Sequence, residues 1–430
     1  MSNRAILPVL CLASLLGLSS PSYAFMKAQD TANEIQQQSH SGQIQETTAI
    51  AEKIWDRLTT EFVNHYENGD YARAAATAQS AFQLAESTFG ANHINTADSL
   101  LKLGIVAETL GDMTNAKRQM RNALTILENQ LGPNHEDVAV VLTNLANVYF
   151  EENNAELSEQ YHTRALNIRK DTLGEGDPAV AQSMYNLAVL YDDTLQYDRA
   201  IQNYEQSIRI WNKTLGAAHP YVANALNNLA NVYLATEKYN IAEELHKHSL
   251  SIRKVIYGDV HAEVARSLIN LGALYVKQNA YEKAKPVYRE AVSTAEKLFG
   301  PAHPQVAMLL YSLANIYHIQ GRMDRNSEEK LAVRQMQYPE HTRSATLRTN
   351  TQATSADSVT LEMTSLHESS QAYFSQALPL YERALEILDG TIGSGHPAMT
   401  AMMTELALLY KSIGKTTKAA QLQVRLNKTE

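Results

Sequence analysis

From residue 51 onward, apolar and polar positions follow two alternating helical patterns. One is Leu-x-x-Leu-Ala-x-x-Tyr, carried by Leu142, Leu145, Ala146 and Tyr149, by Leu226, Leu229, Ala230 and Tyr233, and by Leu310, Leu313, Ala314 and Tyr317. Positions i, i+3, i+4 and i+7 fall on one stripe of an α-helix, so each run predicts a helix buried along one side. The other pattern is Tyr-x-x-Ala-x-x-x-Tyr-x-x-small, as in Tyr197, Ala200, Tyr204 and Ser207. Its small residues let helices approach closely while the tyrosines fill the gaps between them.

These paired patterns keep a beat. Gly90, Gly132, Gly174, Gly216, Gly258 and Gly300 stand 42 residues apart, and a second register, at positions 69, 111, 153, 195, 237, 279 and 321, marks the turn between the two helices. Self-similarity at this period is the signature of a solenoid, in which stacked hairpins share a continuous core. The corner between repeats reads Gly-x-x-His/Asp-Pro, as in Gly216-Ala217-Ala218-His219-Pro220 and Gly300-Pro301-Ala302-His303-Pro304. Glycine ends a helix in the left-handed conformation, and proline suits the first turn of the next. The expected fold is all-α, an array of antiparallel helix pairs.

The beat fails once, because Gly300 to Gly393 is 93 residues, two periods plus nine. Two readings fit. The excess over one period is 51 residues, and residues 322 to roughly 371 are either an insertion between the two helices of one repeat or a decayed extra repeat. In the second reading Met323 to Met336 is a second helix and Pro339-Glu340-His341 echoes the corner. The decayed repeat is preferred, since long unsupported loops are uncommon in compact domains. Thr342 to Ser370, rich in threonine and serine, is expected to be the least ordered stretch after the N-terminus. Residues 51–321 then form the regular array, and 372–430 a C-terminal repeat with a closing helix.

A period of 42 residues also suits HEAT or armadillo arrays. Small residues at the crossings and a tyrosine closing the first helix instead resemble tetratricopeptide repeats. The Asn-Leu-Ala and Gly-x-x-His-Pro elements, with Pro286 and Pro379 in the second helices, resemble the longer repeat of kinesin light chains and many bacterial proteins. That resemblance covers about residues 51–321 and 372–430 and implies a right-handed superhelical α-solenoid. No long heptad coiled coil precedes the repeats, so a motor-adaptor role is not implied.

The N-terminus changes the picture of where the chain works. Arg4, the apolar run Ala5 to Leu18 and Ser22-Tyr23-Ala24 read as a cleavable secretory signal over residues 1–24. The run is too short to span a bilayer. Residues 25–50, with Gln36-Gln37-Gln38, read as a polar flexible spacer or a frayed first helix. Cys11, the sole cysteine, lies inside the signal, so cleavage leaves no disulfide, thiolate nucleophile or cysteine metal site. An exported protein that relies on packing alone suits a bacterial envelope, and the location expected is periplasmic or secreted. A net charge of −9 without a basic stripe argues against nucleic acid as a partner.

Catalytic, cofactor and metal chemistry finds no support. Gly414-Lys415-Thr416 resembles the end of a phosphate loop, but Leu409 stands where that motif needs glycine. Histidines 93, 135, 219, 261, 303 and 396 each sit at a separate corner and cannot converge on one ion, so capping is their expected role. Asp192-Asp193 reads as a solvated rim.

Asparagines form two series, Asn147, Asn231 and Asn315 in one register and Asn144, Asn186, Asn228 and Asn270 in another. The resemblance places the first register on the concave face. Projected onto this chain, the candidate groove holds Thr143, Asn147, Gln182, Tyr185, Asn224, Asn227, Asn231, Arg266, Tyr311, Asn315 and His318. An amide both donates and accepts, so a row of asparagines suits the backbone of an extended peptide. The Asn144 series, present in nearly every repeat, reads as structural; the Asn147 series and Asn227 read as ligand contacts. Thr143, Asn227 and Tyr311 replace the lysine of carboxylate-clamp repeats, so C-terminal tails of that kind are not expected as ligands. The function expected is a non-enzymatic protein-interaction scaffold whose partner and oligomeric state are open. A secreted effector acting on a host protein and an accessory subunit of an envelope enzyme or secretion complex are the alternatives.

Overall fold

The computed structural model describes residues 38–337, 355–391 and 397–427, and its regular structure there is sixteen α-helices. Two compact units divide at Gly216. The first contains α1 (Gln38–Glu67), α2 (Tyr71–Phe89), α3 (Ile94–Thr109), α4 (Met113–Leu131), α5 (Glu136–Glu151), α6 (Ala155–Leu173), α7 (Pro178–Asp193) and α8 (Tyr197–Thr214). The second contains α9 (Pro220–Ala235), α10 (Tyr239–Tyr257), α11 (Ala262–Lys277), α12 (Tyr281–Phe299), α13 (Pro304–Gln337), α14 (Ser355–Thr391), α15 (Pro397–Ser412) and α16 (Thr416–Leu426). In both units each odd-numbered helix packs on the even-numbered one that follows, as the alternating patterns predict. The signal reading, residues 1–24, lies outside the described residues. Gln38 to Ile50 belong to α1, so that part of the expected flexible spacer is helix.

Two joints build each repeat. Within it, the turn closes on a residue in the left-handed region, Gly69, Gly111, Asn153, Leu195, Glu237, Asn279 or Gly414. The next N–H then donates back five residues, as Asn154 does to Tyr149 O (2.8 Å) and Gln196 to Tyr191 O (2.7 Å). That bond satisfies a carbonyl the helix end would orphan. Between repeats the corner glycine takes φ from +77° at Gly258 to +97° at Gly90. The corner histidine caps the following helix, its Nδ1 accepting from the backbone N–H two residues on at 3.1–3.2 Å in His93, His135, His219, His261 and His303. Asp177 does the same at its corner (2.7 Å). His93, His261 and His303 also stack on Phe89, Tyr257 and Phe299.

At the crossing inside a repeat, a small residue meets a large one. A Cβ added to Gly104 would lie 2.6 Å from Met120, and one added to Gly272 would lie 2.7 Å from Tyr288. The tyrosine that closes five of the first helices reaches back to the preceding second helix. Tyr191 donates to Glu159 (3.0 Å), Tyr275 to Glu243 (2.9 Å) and Tyr410 to Glu382 (2.5 Å), while Tyr149 and Tyr317 accept from Arg121 and Arg289. The apolar stripes therefore supply the burial and these polar links set the register between repeats.

The irregular segment is not a decayed repeat. Helix α13 runs straight through the turn register at Gly321 and on to Gln337, and α14 starts at Ser355. The extra residues therefore lengthen one hairpin at its turn end, which is the insertion reading. Ser355 to Ser370, expected to be poorly ordered, are helical; the rest of Thr342 to Ser370 lies outside the described residues. Gly321 keeps its place in the beat for a different reason. A Cβ there would come within 2.5 Å of the Phe374 ring, so glycine permits a close helix contact where other repeats use it to turn. Beyond that contact Ser369 donates to Asp324 (2.6 Å), His367 meets Glu328 (3.3 Å) and Arg325 donates to Ser412 O (2.5 Å). Gly→Ala inside an exposed helix normally stabilises by about 1 kcal/mol. Gly321→Ala is expected to do the reverse, costing about 1–3 kcal/mol through overpacking, as read from urea unfolding.

The crossing register holds Met120, His162, Tyr204, His246 and Tyr288 in successive repeats. His246 is fully buried, and among the described residues neither ring nitrogen has a partner. Burial first, and the nearby Arg253 second, hold its pKa down to about 4; the same causes, with Arg169, hold His162 down to about 3. A histidine whose folded pKa is depressed gives stability that is complete above its unfolded value of about 6.5 and drains away as pH falls toward the folded value. Glu108, pushed up to about 8 by burial and by Glu151, works in the opposite direction over a higher range. His246→Met, copying position 120, is therefore expected to stabilise the chain and to flatten the fall of melting temperature between pH 6.5 and 4.

Candidate functional site

The candidate groove residues lie on the first helices, four in the first unit and seven in the second, and the two groups behave differently. In the first unit Thr143 is buried and donates to Ala139 O (2.8 Å). Tyr185 is also buried, its ring 5.7 Å from Tyr204 and 5.6 Å from Trp211. Gln182 donates to Asn186 Oδ1 (2.9 Å). Asn147 alone is half-exposed with no partner among the described residues. Thr143 and Tyr185 are thus packing residues: Thr143 bonds its own helix, and Tyr185 packs on Tyr204 and Trp211 of the second helix of its repeat.

Nearby, Asp98 and Lys102 form an ion pair with 2 % and 3 % side-chain exposure, Nζ–Oδ1 2.6 Å, and Trp55 donates to Ser99 beside it (2.9 Å). Burying both charges costs desolvation that only good geometry offsets. Sequence reasoning did not single out this pair, although its i, i+4 spacing was visible.

The second unit is more open. Asn224 Oδ1 accepts from Arg253 (2.7 Å) and Arg266 (3.4 Å), and both guanidiniums share the carboxylate of Glu263. Asn227 is buried and accepts from Asn270 (2.8 Å), which ties adjacent first helices together. In the first unit, by contrast, Asn144 bonds its own helix at Val140 O (2.9 Å). Asn315 accepts from the buried Tyr381 hydroxyl. His318 is buried with Nδ1 3.4 Å from both Glu405 and the Tyr381 hydroxyl, and burial aided by Arg322 holds its pKa down to about 4. Asn227 and His318 therefore serve the core and present no face to a ligand. Asn231 is half-exposed and has no partner among the described residues, and Tyr311 is half-exposed.

Two residues were missed. Met308 shares Arg266's register and is 40 % exposed; Leu408 shares Asn315's register, once the long spacing is counted, and is 39 % exposed. The 42-residue beat carries that signal, but in apolar rather than polar side chains. Along this face the second unit thus changes from amide and guanidinium groups to apolar ones. Among the described residues no cluster of three or more His, Cys, Asp or Glu could hold a metal, and no helix is long and apolar enough to cross a membrane.

Comparison with known proteins agrees with this architecture. The tetratricopeptide repeat family model matches residues 63–129, 100–171, 137–213, 180–254 and 221–297, which together span more than half of the chain. The protein belongs to the tetratricopeptide repeat family. No curated protein matches it significantly. Among solved structures it is similar to BtubC (BKLC) from P. vanneervenii, at 21 % identity and TM-score 0.46 over 54 % of this chain and 91 % of that one. It is also similar to a signal transduction ATPase with a tetratricopeptide repeat sensor from Pyrococcus horikoshii, at 13 % identity and TM-score 0.59 over 88 % of this chain and 47 % of that one. A putative kinesin light chain repeat protein of Podospora anserina matches at 21 % identity and TM-score 0.44 over 48 % of this chain and 98 % of that one. At such identities the likeness concerns the fold, an all-α solenoid, and the repeat family suggests protein partners.

The two asparagine roles separate by mutation. Asn227→Ala leaves Asn270 without its acceptor and is expected to cost about 1–2 kcal/mol of stability. Asn231→Ala is expected to stay within about 0.5 kcal/mol of wild type in the same urea titration.

Proposed function

We propose that the protein is an exported, non-enzymatic scaffold that binds an extended peptide or a partner protein along the first-helix face of its second unit. The observation that carries the reading is the set of uncommitted side chains there. Asn231 has no partner among the described residues, and Met308 and Leu408 are exposed. Asparagine can pair with a peptide backbone, and the two apolar side chains can bury a ligand's apolar groups. The bonds of Asn227 to Asn270, and of Asn315 and His318 to the buried Tyr381, hold the helices that present this face. Export is supported by the charged, apolar and small-residue order of residues 1–24.

Mass spectrometry of the protein from its own cell envelope and medium tests export, with a mature N-terminus at Phe25 expected. An uncleaved chain confined to the cytoplasm contradicts that part. For binding, the variant Asn231→Ala/Met308→Ala/Leu408→Ala is compared with wild type in affinity capture from the same fractions. Unchanged melting with partner recovery reduced about tenfold or more is expected. Full recovery of every partner by the variant rules out this face.

A further inference from the structure

Two guanidiniums share one carboxylate on the first-helix face of the second unit. Arg253 comes through from α10 with its side chain 1 % exposed. Its Nη1 donates to Ser267 (2.5 Å), and its Nη2 donates to Asn224 (2.7 Å) and pairs with Glu263 (3.2 Å). Arg266, on α11, keeps 32 % of its side chain in solvent and meets Glu263 and Asn224 through Nη2. Its Nε is buried without an acceptor, and its Nη1 makes no bond, among the described residues. Buried donors normally have acceptors, so this guanidinium is only partly satisfied within the chain.

The neighbouring elements add no acid to balance the pair. Helix α9, and α13 as far as Gln320, contain neither Asp nor Glu, and Asp259 at the corner before α11 pairs with Lys254 (3.5 Å). In the first unit the reverse holds: Lys102 is the one base of α3, α5 and α7, and all three helices carry acids. A ligand carboxylate is therefore matched at Arg266 and disfavoured on the first helices of the first unit.

One repeat further on, Met308 occupies the register of Arg266 and is 40 % exposed. Packed helices lie about 8–10 Å apart. A β-strand puts side chains on one side every second residue, about 7 Å, whereas a polyproline II segment does so every third, about 9 Å. Building on the reading of this face as a peptide site, we infer that its ligand is a polyproline II-like segment that sets a carboxylate side chain on Arg266 and, about three residues away, an apolar side chain on Met308. Arg266 is then the residue that sets specificity, and Glu263 holds it in position from within the chain.

Selection of a random peptide library, tethered at its C-termini, on the immobilised full chain tests this. The recovered peptides are expected to carry Asp or Glu about three residues from an apolar residue. In a synthetic copy of one, replacing that acid by its amide is expected to weaken binding to wild type about tenfold. Arg266→Gln is expected to bind the acid and amide peptides equally, a comparison within one variant that does not depend on its stability. Peptides that bind wild type and fail on Asn231→Ala/Met308→Ala/Leu408→Ala, yet show no acid at that spacing, overturn the assignment and leave the peptide site standing. So does a preference for acid over amide that survives Arg266→Gln. Peptides that bind the triple variant as tightly as wild type, or a selection that recovers none, overturn both.

Discussion

The close crossing of the two helices in each repeat is the constraint that the rest of the array obeys. A small residue on the first helix, glycine or alanine in the register of Gly104 and Gly272, must meet a bulky one on the second, such as Met120 or Tyr288. That contact fixes the spacing of the pair, and the left-handed turn and the capped corner then fix where the next pair begins. Dispersion and burial supply the energy. The polar bonds at the turn and the tyrosine links choose one register among many possible slips. Because each joint is local, an added length of helix at one turn, as at Gly321, leaves the repeats on either side in step.

Much of this was written in the sequence in plain form. Leucine and tyrosine stripes gave the helices, the six corner glycines gave the breaks, and the corner histidines gave caps whose Nδ1 geometry the structure reproduces. What periodicity could not convey was the use of Gly321. A glycine on the beat looks the same whether it turns the chain or admits Phe374, and only the partner helix, far along the sequence, decides between them. The decayed-repeat reading failed there, because it assumed that the register always means a turn.

The candidate groove was less legible, and for a related reason. Register assigns a residue to a face but does not say how tightly the neighbouring helices cover it. Thr143 and Tyr185 are closed over, whereas Met308, in the register of Arg266, is open. Asparagines that look alike in sequence divide into Asn227, which joins two helices, and Asn231, which has no partner among the described residues. Polarity drew attention to both. Exposure, which depends on neighbours distant in sequence, separates the structural one from the available one.

Continuity of the helix through Gly321 tests the central claim most directly, since it distinguishes one lengthened hairpin from two repeats. Amide hydrogen exchange of the intact protein, resolved along 304–337, is the measurement. Unbroken slow exchange from the first turn of α13 past 321 and 322, in contrast to faster exchange at the turns around 111 and 195, is what this account requires. Rapid exchange at 321–323, matching those turns, would mean that the chain reverses there and that the hairpin joint described here is wrong.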